Sequence, residues 1–182
     1  MRRRRDGAGL GVATDEPTGG GWAQARRPVS LMHRAVALLA RRDYSRLELS
    51  RRLRLVLDDG ADSSEIDAVL DKLEARGLLS DQRFAQSLSR WRAARFGAAR
   101  VRADLKSRGV AEELIGEALA PLLATDLERA RAIWQRRYRG MLPHSPAERA
   151  RQMRFLAGRG FSAETIRKVL GAGDDASDPV DA

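Results

Sequence analysis

One spacing occurs three times along this chain. A glycine is followed six residues on by isoleucine and four further on by leucine: Gly60, Ile66, Leu70; Gly109, Ile115, Leu119; Gly160, Ile166, Leu170. Four residues before each glycine stands another apolar residue, Val56, Leu105 or Leu156. The glycines are 49 and 51 residues apart. A repeat of that period predicts a tandem array of small modules rather than one globular enzyme fold. Function is then to be sought on the outer surface of an elongated array, not in a single pocket.

The repeat extends upstream of each glycine. Tyr44, Phe96 and Tyr138 each close a helix-like stretch, with Leu39, Trp91 and Ile133 five residues earlier and Val36, Leu88 and Ala130 eight earlier. Steps of three and five follow one face of an α-helix, and the positions read as core. Each module therefore reads as three short helices. The first ends near the aromatic, the second ends at the glycine in a left-handed C′ conformation, and the third carries the Ile and Leu on one face. Ser45 with Glu48, and Ser145 with Glu148, fit capping boxes, with Pro146 at the first helical position. Asp62 and Ser162 are expected to start third helices, whereas the start near Val110 and Ala111 is poorly capped.

The fold class expected is all-α: an elongated array, curved to the right or the left, of three tandem three-helix repeats at 30–79, 80–124 and 125–172. Strand signals are nearly absent. No apolar run approaches the roughly 18 residues that would span a bilayer. The basic start Met1 to Arg5 has no apolar stretch behind it, so it does not read as a secretory signal. The chain has no cysteine, which removes disulfides and thiol chemistry and fits the cytoplasm. Residues 1–29 are rich in Arg, Gly and small residues and are expected to be disordered, as is the acidic tail 173–182.

Charge separates these regions. The net charge is +9. Residues 1–28 hold six Arg against three acids and the tail holds four Asp, which leaves +10 on residues 29–172. A folded array with that excess argues for a polyanionic partner, most simply nucleic acid. Only Lys72, Lys106 and Lys168 are lysines; the other basic residues are arginines, a bias that a GC-rich genome also produces. They cluster at Arg41–Arg42, Arg46, Arg51–Arg52, Arg90, Arg92, Arg95, Arg100, Arg102, Arg108, Arg136–Arg137, Arg139, Arg149, Arg151 and Arg154. Several fall near the end of a first helix or on a second helix, so the basic surface recurs with the repeat.

Catalytic constellations are lacking. His33 reads as an ordinary helical residue, and His144 lies in a loop before a helix cap; neither has a partner at metal-ligand spacing. There is no phosphate loop and no dinucleotide fingerprint. Asp58–Asp59 and Glu112–Glu113 are sequence neighbours whose side chains point apart. The chain does not read as an enzyme and calls for no cofactor or metal.

Three segments resemble the RecX family. Leu73-Glu74-Ala75-Arg76-Gly77-Leu78-Leu79-Ser80-Asp81-Gln82-Arg83-Phe84-Ala85 is similar to the family's passage from one three-helix unit to the next. Tyr44 to Leu53 resembles its "(Y/R)-S-x-x-E-L-x-x-(R/K)-L" segment, and Phe96 to Val110 its "G-x-x-(R/K)-(apolar)-x-x-x-L-x-x-(R/K)-G-(apolar)" segment. Phe155 to Ser162 closes the third unit in pattern. The resemblance covers about residues 30–172 and departs at Asp59, where the family usually has a basic residue before the glycine; Arg108 and Arg159 keep it.

The resemblance implies a cytoplasmic, monomeric modulator of RecA without cofactor. Such a protein binds RecA and RecA filaments on single-stranded DNA. It suppresses recombinase, ATPase and coprotease activities in DNA repair, recombination and the SOS response, and can bind single- and double-stranded DNA. A curved basic array suits a filament groove, since the arginine fork pairs with carboxylate or phosphate. The expected face comprises Arg41, Arg42, Arg51, Arg52, Arg92, Arg95, Arg100, Arg102 and Arg108. Two rivals remain: a sequence-nonspecific DNA-binding repeat protein acting without RecA, and an array that docks only on an acidic protein. The acidic tail is expected to solubilise.

Overall fold

The computed structural model describes residues 30–55 and 63–171. Val56, Asp58, Asp59, Gly60 and Asp62, the N-terminal segment 1–29 and the tail 173–182 lie outside the described residues. Among the described residues there are nine helices and no strand. Module 1 holds α1 (Leu31–Leu39), α2 (Arg46–Arg54) and α3 (Ser63–Ala75). Module 2 holds α4 (Asp81–Ala93), α5 (Ala98–Ser107) and α6 (Glu112–Ala124). Module 3 holds α7 (Asp126–Tyr138), α8 (Pro146–Ala157) and α9 (Ala163–Val169).

Each triplet closes on its own small core. Ala35, Leu49, Leu53, Ile66, Leu70 and Leu73 are buried together in the first. Phe84, Val101, Leu105, Ile115 and Leu119 fill the second, and Ala130, Ile133, Leu156, Ile166 and Leu170 the third. The recurring Ile and Leu thus lie where the repeat predicts, at i and i+4 on the buried side of each third helix. Val36 and Trp91 depart from that expectation: both are exposed, Trp91 by 67%. The buried line of α4 runs through Phe84, Ala85 and Ser89 instead, and the last turn carries Trp91 over the gap between modules.

Helix ends follow local chemistry. Gly109 (φ +76°) and Gly160 (φ +84°) are left-handed. Val110 N–H donates to Leu105 O and Gly109 N–H to Lys106 O; Phe161 and Gly160 repeat this with Leu156 and Ala157. These are Schellman closures, and only glycine adopts the C′ conformation without a Cβ penalty. Ser45, Ser145 and Ser162 cap α2, α8 and α9 through their side chains, while Ala111 gives α6 no side-chain cap. The capping-box glutamates do not reach back to the serine amides. Glu48 accepts from Arg42 at 3.1 Å and pairs with Arg108; Glu148 accepts from the His144 amide at 3.0 Å. At Glu48 the two guanidinium groups attract the carboxylate more strongly than a neutral amide does.

Candidate binding surface

The three second helices meet head to tail. At the N-terminus of α2, the Ser45 hydroxyl donates to the Arg108 carbonyl at 2.7 Å, and Arg108 closes α5. At the N-terminus of α5, the amides of Gly97 and Ala99 donate to the carbonyls of Arg159 and Gly160, just past α8, at 2.8 and 3.2 Å. Positive helix starts therefore face negative helix ends at both junctions, and at the second the amides of one end directly satisfy the orphan carbonyls of the other. A carboxylate completes each start. Asp81 accepts from the Arg46 amide at 2.7 Å, and Asp126 accepts from the Ala98 amide. Both are the first residue of the next module's first helix.

Arginines lock the same corners. Arg83 donates to the carbonyls of Gly77 and Leu78 at 2.7 and 2.9 Å, behind α3. Arg129 donates to Ala93 O, Phe96 O and Leu122 O at 3.0, 2.7 and 3.0 Å and pairs with Asp126 at 2.5 Å. Burial pushes the Asp126 carboxyl above its ordinary value, against the pull of Arg129 and the Ala98 amide. The same burial lowers the Arg129 guanidinium, with Asp126 opposing it.

The nine arginines expected to form the binding face divide into two groups. Arg42 and Arg108 pair with Glu48, Arg92 pairs with Asp104 at 3.2 Å, and Arg102 pairs with Glu112. These four are engaged by carboxylates of the chain itself. Arg41, Arg51, Arg52, Arg95 and Arg100 are exposed and have no carboxylate partner among the described residues. Arg51 and Arg52 line a hollow of about 420 Å³ on module 1 with Tyr44 and Leu55. Arg95 opens on the gap between modules 2 and 3, and the Arg100 guanidinium stands 6.0 Å from the Phe96 ring centroid.

A groove runs along each junction. The first, about 390 Å³, lies between Arg42 and Asp43 of module 1 and Phe84, Leu88, Trp91 and Arg108 of module 2. The second, about 440 Å³, is lined by Arg95, Phe96, Ile133, Arg136, Arg137 and Arg159. Ile133 and Arg159 of the second are the repeat counterparts of Trp91 and Arg108 of the first. Among the described residues no three His, Cys, Asp or Glu side chains form a group fit for a metal ion, and no helix is long and apolar enough to cross a membrane. Asp81, Asp126 and Arg129 are the positions sequence reasoning missed. Asp81 lies in the junction segment already quoted for the resemblance, and for Asp126 the signal is an Asp directly after Thr125.

Two family profiles match this chain: the second three-helix domain of RecX over residues 80–119 and the third over residues 124–170. Regulatory protein RecX of Leptothrix cholodnii is 46% identical over 156 residues, which are 86% of this chain and 97% of that one. The chain belongs to the RecX family. Regulatory protein RecX of Ralstonia pickettii is 41% identical over 150 residues, 82% of this chain and 92% of its own. The crystal structure of RecX from Lactobacillus salivarius superposes with a TM-score of 0.64 at 20% identity, over 78% of this chain and 92% of that one, a likeness of fold. As a RecX family member the chain is a regulatory protein and not an enzyme.

Proposed function

We propose that this chain regulates RecA: it binds the recombinase and its filament on single-stranded DNA and suppresses ATPase, strand-exchange and coprotease activities. It acts as a monomer, in the cytoplasm, without a cofactor. Family membership supports this reading, and one feature of the fold carries it. The second helices follow one another along the array with exposed arginines on each, so a surface of similar chemistry returns once per module. A helical filament offers the matching property, one equivalent patch per subunit. Arg41, Arg51, Arg52, Arg95 and Arg100 are the members of the expected face left to make such contacts.

The test is single-stranded-DNA-dependent ATP hydrolysis by RecA with this protein added well below the amount that covers the DNA. Inhibition at that level is expected. The triple variant Arg41→Glu, Arg51→Glu, Arg52→Glu is expected to weaken inhibition while helicity is unchanged. Inhibition only at DNA saturation favours instead a DNA-binding protein acting without RecA, and full inhibition by the folded variant removes module 1 from the face.

A further inference from the structure

The two junction grooves differ in charge. Asp43 lines the first, and its two arginines are both paired with Glu48. Among the described residues no acidic side chain lines the second. None lines the adjoining hollow of about 510 Å³ on module 3 either, which shares Arg137 and Phe155 with it. The two hollows form one track bordered by six guanidinium groups: Arg95, Arg136, Arg137, Arg151, Arg154 and Arg159. None of the six has a carboxylate partner among the described residues.

The chain reaches its last described residue, Gly171, beside this track. Leu170 is buried in the module 3 core, and Tyr138 and Phe155, which line the track, pack against that same core. A Cβ on Gly171 would stand 3.9 Å from Leu142, which follows Tyr138 in the same turn region. Gly171 is left-handed, at φ +72°, and so turns the chain off the axis of α9. Residues 172–182 carry Asp174, Asp175, Asp178 and Asp181 and no basic residue. An extended chain carries these carboxylates between about 10 and 35 Å from Gly171. The helix that bears Arg151 and Arg154, α8, is only about 18 Å long. The four carboxylates can therefore be laid along the whole of it.

We infer that the acidic segment 172–182 docks on the track over module 3 of its own chain and masks it. Segment 1–29 does not suit the place, since its six Arg outnumber its three acids. A tethered segment meets the track at an effective concentration on the order of millimolar, ahead of any separate chain. The guanidinium forks are set to receive carboxylates: Arg159 stands 3.8 Å from the Phe155 ring centroid and Arg137 5.7 Å from that of Tyr138. A ring beneath a guanidinium fixes its plane without consuming its donors. Each exposed pair contributes little and is screened by salt, so the masking is reversible. A partner of higher charge density displaces the segment, whereas a weakly acidic surface does not. The tail then sets a threshold for what the track admits. The inference does not rest on RecA regulation, and its test contains neither recombinase nor DNA.

The chain has no cysteine, so Ala182→Cys places a single nitroxide at the end of the tail, read through the amide signals of the isotope-labelled protein. At about 0.05 M salt the signals of Tyr138, Arg151 and Phe155 are expected to be lost, while those of the exposed Arg76, Arg90 and Lys106 persist. At about 0.5 M salt the lost signals are expected to return. They are also expected to return in the tail variant Asp174→Asn, Asp175→Asn, Asp178→Asn, Asp181→Asn, which changes no residue of the array. The track variant Arg137→Gln, Arg151→Gln, Arg154→Gln is expected to restore Tyr138 and Phe155 likewise. Signals that stay lost in the tail variant overturn the inference, because the tether alone then keeps the label near. Equal loss at Arg76, Arg90 and Lys106 overturns it, because net charge then draws the tail to every basic surface. Equal loss in isotope-labelled chains without nitroxide, mixed with nitroxide-bearing chains, overturns it as well, because the tail then docks on a second copy.

Discussion

At the junction of modules 1 and 2 the start of α2 is held by side chains: Ser45 on the Arg108 carbonyl, Glu48 on the Arg108 guanidinium, Asp81 on the Arg46 amide. At the junction of modules 2 and 3 the start of α5 is held by backbone against backbone, with a buried Arg129–Asp126 pair beneath it. Gly97 is the reason for the difference. It lets α5 approach Gly160 so closely that a Cβ at either position would fall 2.4–2.5 Å from backbone atoms on the other side of the junction. Ser45 occupies the corresponding place in module 1 and uses its hydroxyl to span the gap. Close approach leaves the second junction no room for a side chain at Gly97 or Gly160. The first relies on an ion pair, which salt screens.

The comparison breaks most visibly at Arg129. Its side chain is 16% exposed and that of Asp126 10%, so Arg129→Met leaves a largely buried carboxylate without its cation and the half-buried carbonyls of Ala93 and Phe96 without this donor, while Leu122 O keeps Thr125. A loss of about 3–5 kcal/mol is expected by urea unfolding. A loss below about 1 kcal/mol would mean that water replaces Arg129 and that the second junction is no more buried than the first.

Glycine substitutions sharpen the contrast. A Cβ on Gly160 meets the Arg100 backbone nitrogen at 2.5 Å, and a Cβ on Gly109 meets Leu47 side-chain atoms at 2.8 and 2.9 Å. Both glycines have positive φ and carry that penalty alike. Only Leu47 has rotamers with which to yield. Gly160→Ala is therefore expected to cost about 3 kcal/mol and Gly109→Ala about 1–2 kcal/mol. Equal thermal shifts in the two variants would remove the distinction between a backbone and a side-chain joint. At the first junction, Glu48→Gln frees Arg42 and Arg108 and is expected to cost about 1 kcal/mol. That cost should shrink as salt is raised from about 0.05 to 0.5 M, whereas the cost of Arg129→Met should not.

The helices were legible in the sequence because their signals are local. A serine before a helix start, a glycine after a helix end and an Ile–Leu step on one face are each read within a few residues, and Ser45, Gly109 and Ile166 fall where that reading puts them. The junctions were not legible, because their partners are far apart in sequence: Arg46 with Asp81, Ala98 with Asp126, Gly97 with Arg159. Arginine was the hardest residue to read. Arg102 and Arg151 have the same chemistry and similar exposed helical settings, yet one is paired with Glu112 and the other borders an acid-free track. Only the position of a carboxylate on another helix separates them. Trp91 failed as a core residue for a related reason: the periodicity that makes a core face also makes the wall of a groove between modules.

The smallest expected effect is a pH slope specific to the second junction. Burial holds the Asp126 carboxyl above its ordinary 3.8, outweighing Arg129 and the Ala98 amide. A carboxyl raised in the folded state binds its proton more tightly there than in the unfolded chain. Its contribution to stability is therefore fully present below the ordinary value and is lost as pH rises through the folded-state value. Glu164 has the opposite sign, since hydrogen bonding to Lys168 and that group's charge lower it; its contribution is present at neutral pH and is lost on acidification. Asp126→Asn removes the titration while keeping an acceptor for the Ala98 amide. The stability of the parent relative to this variant is expected to rise as pH falls from about 6 to 3, by a fraction of 1.4 kcal/mol for each unit of displacement still to be titrated. Denaturant unfolding of both proteins across that range reads the difference directly. A flat difference would mean that Asp126 is solvated like an ordinary surface carboxylate, and a difference that falls with acid would mean that Arg129 outweighs burial and that the second junction, like the first, is held mainly by charge.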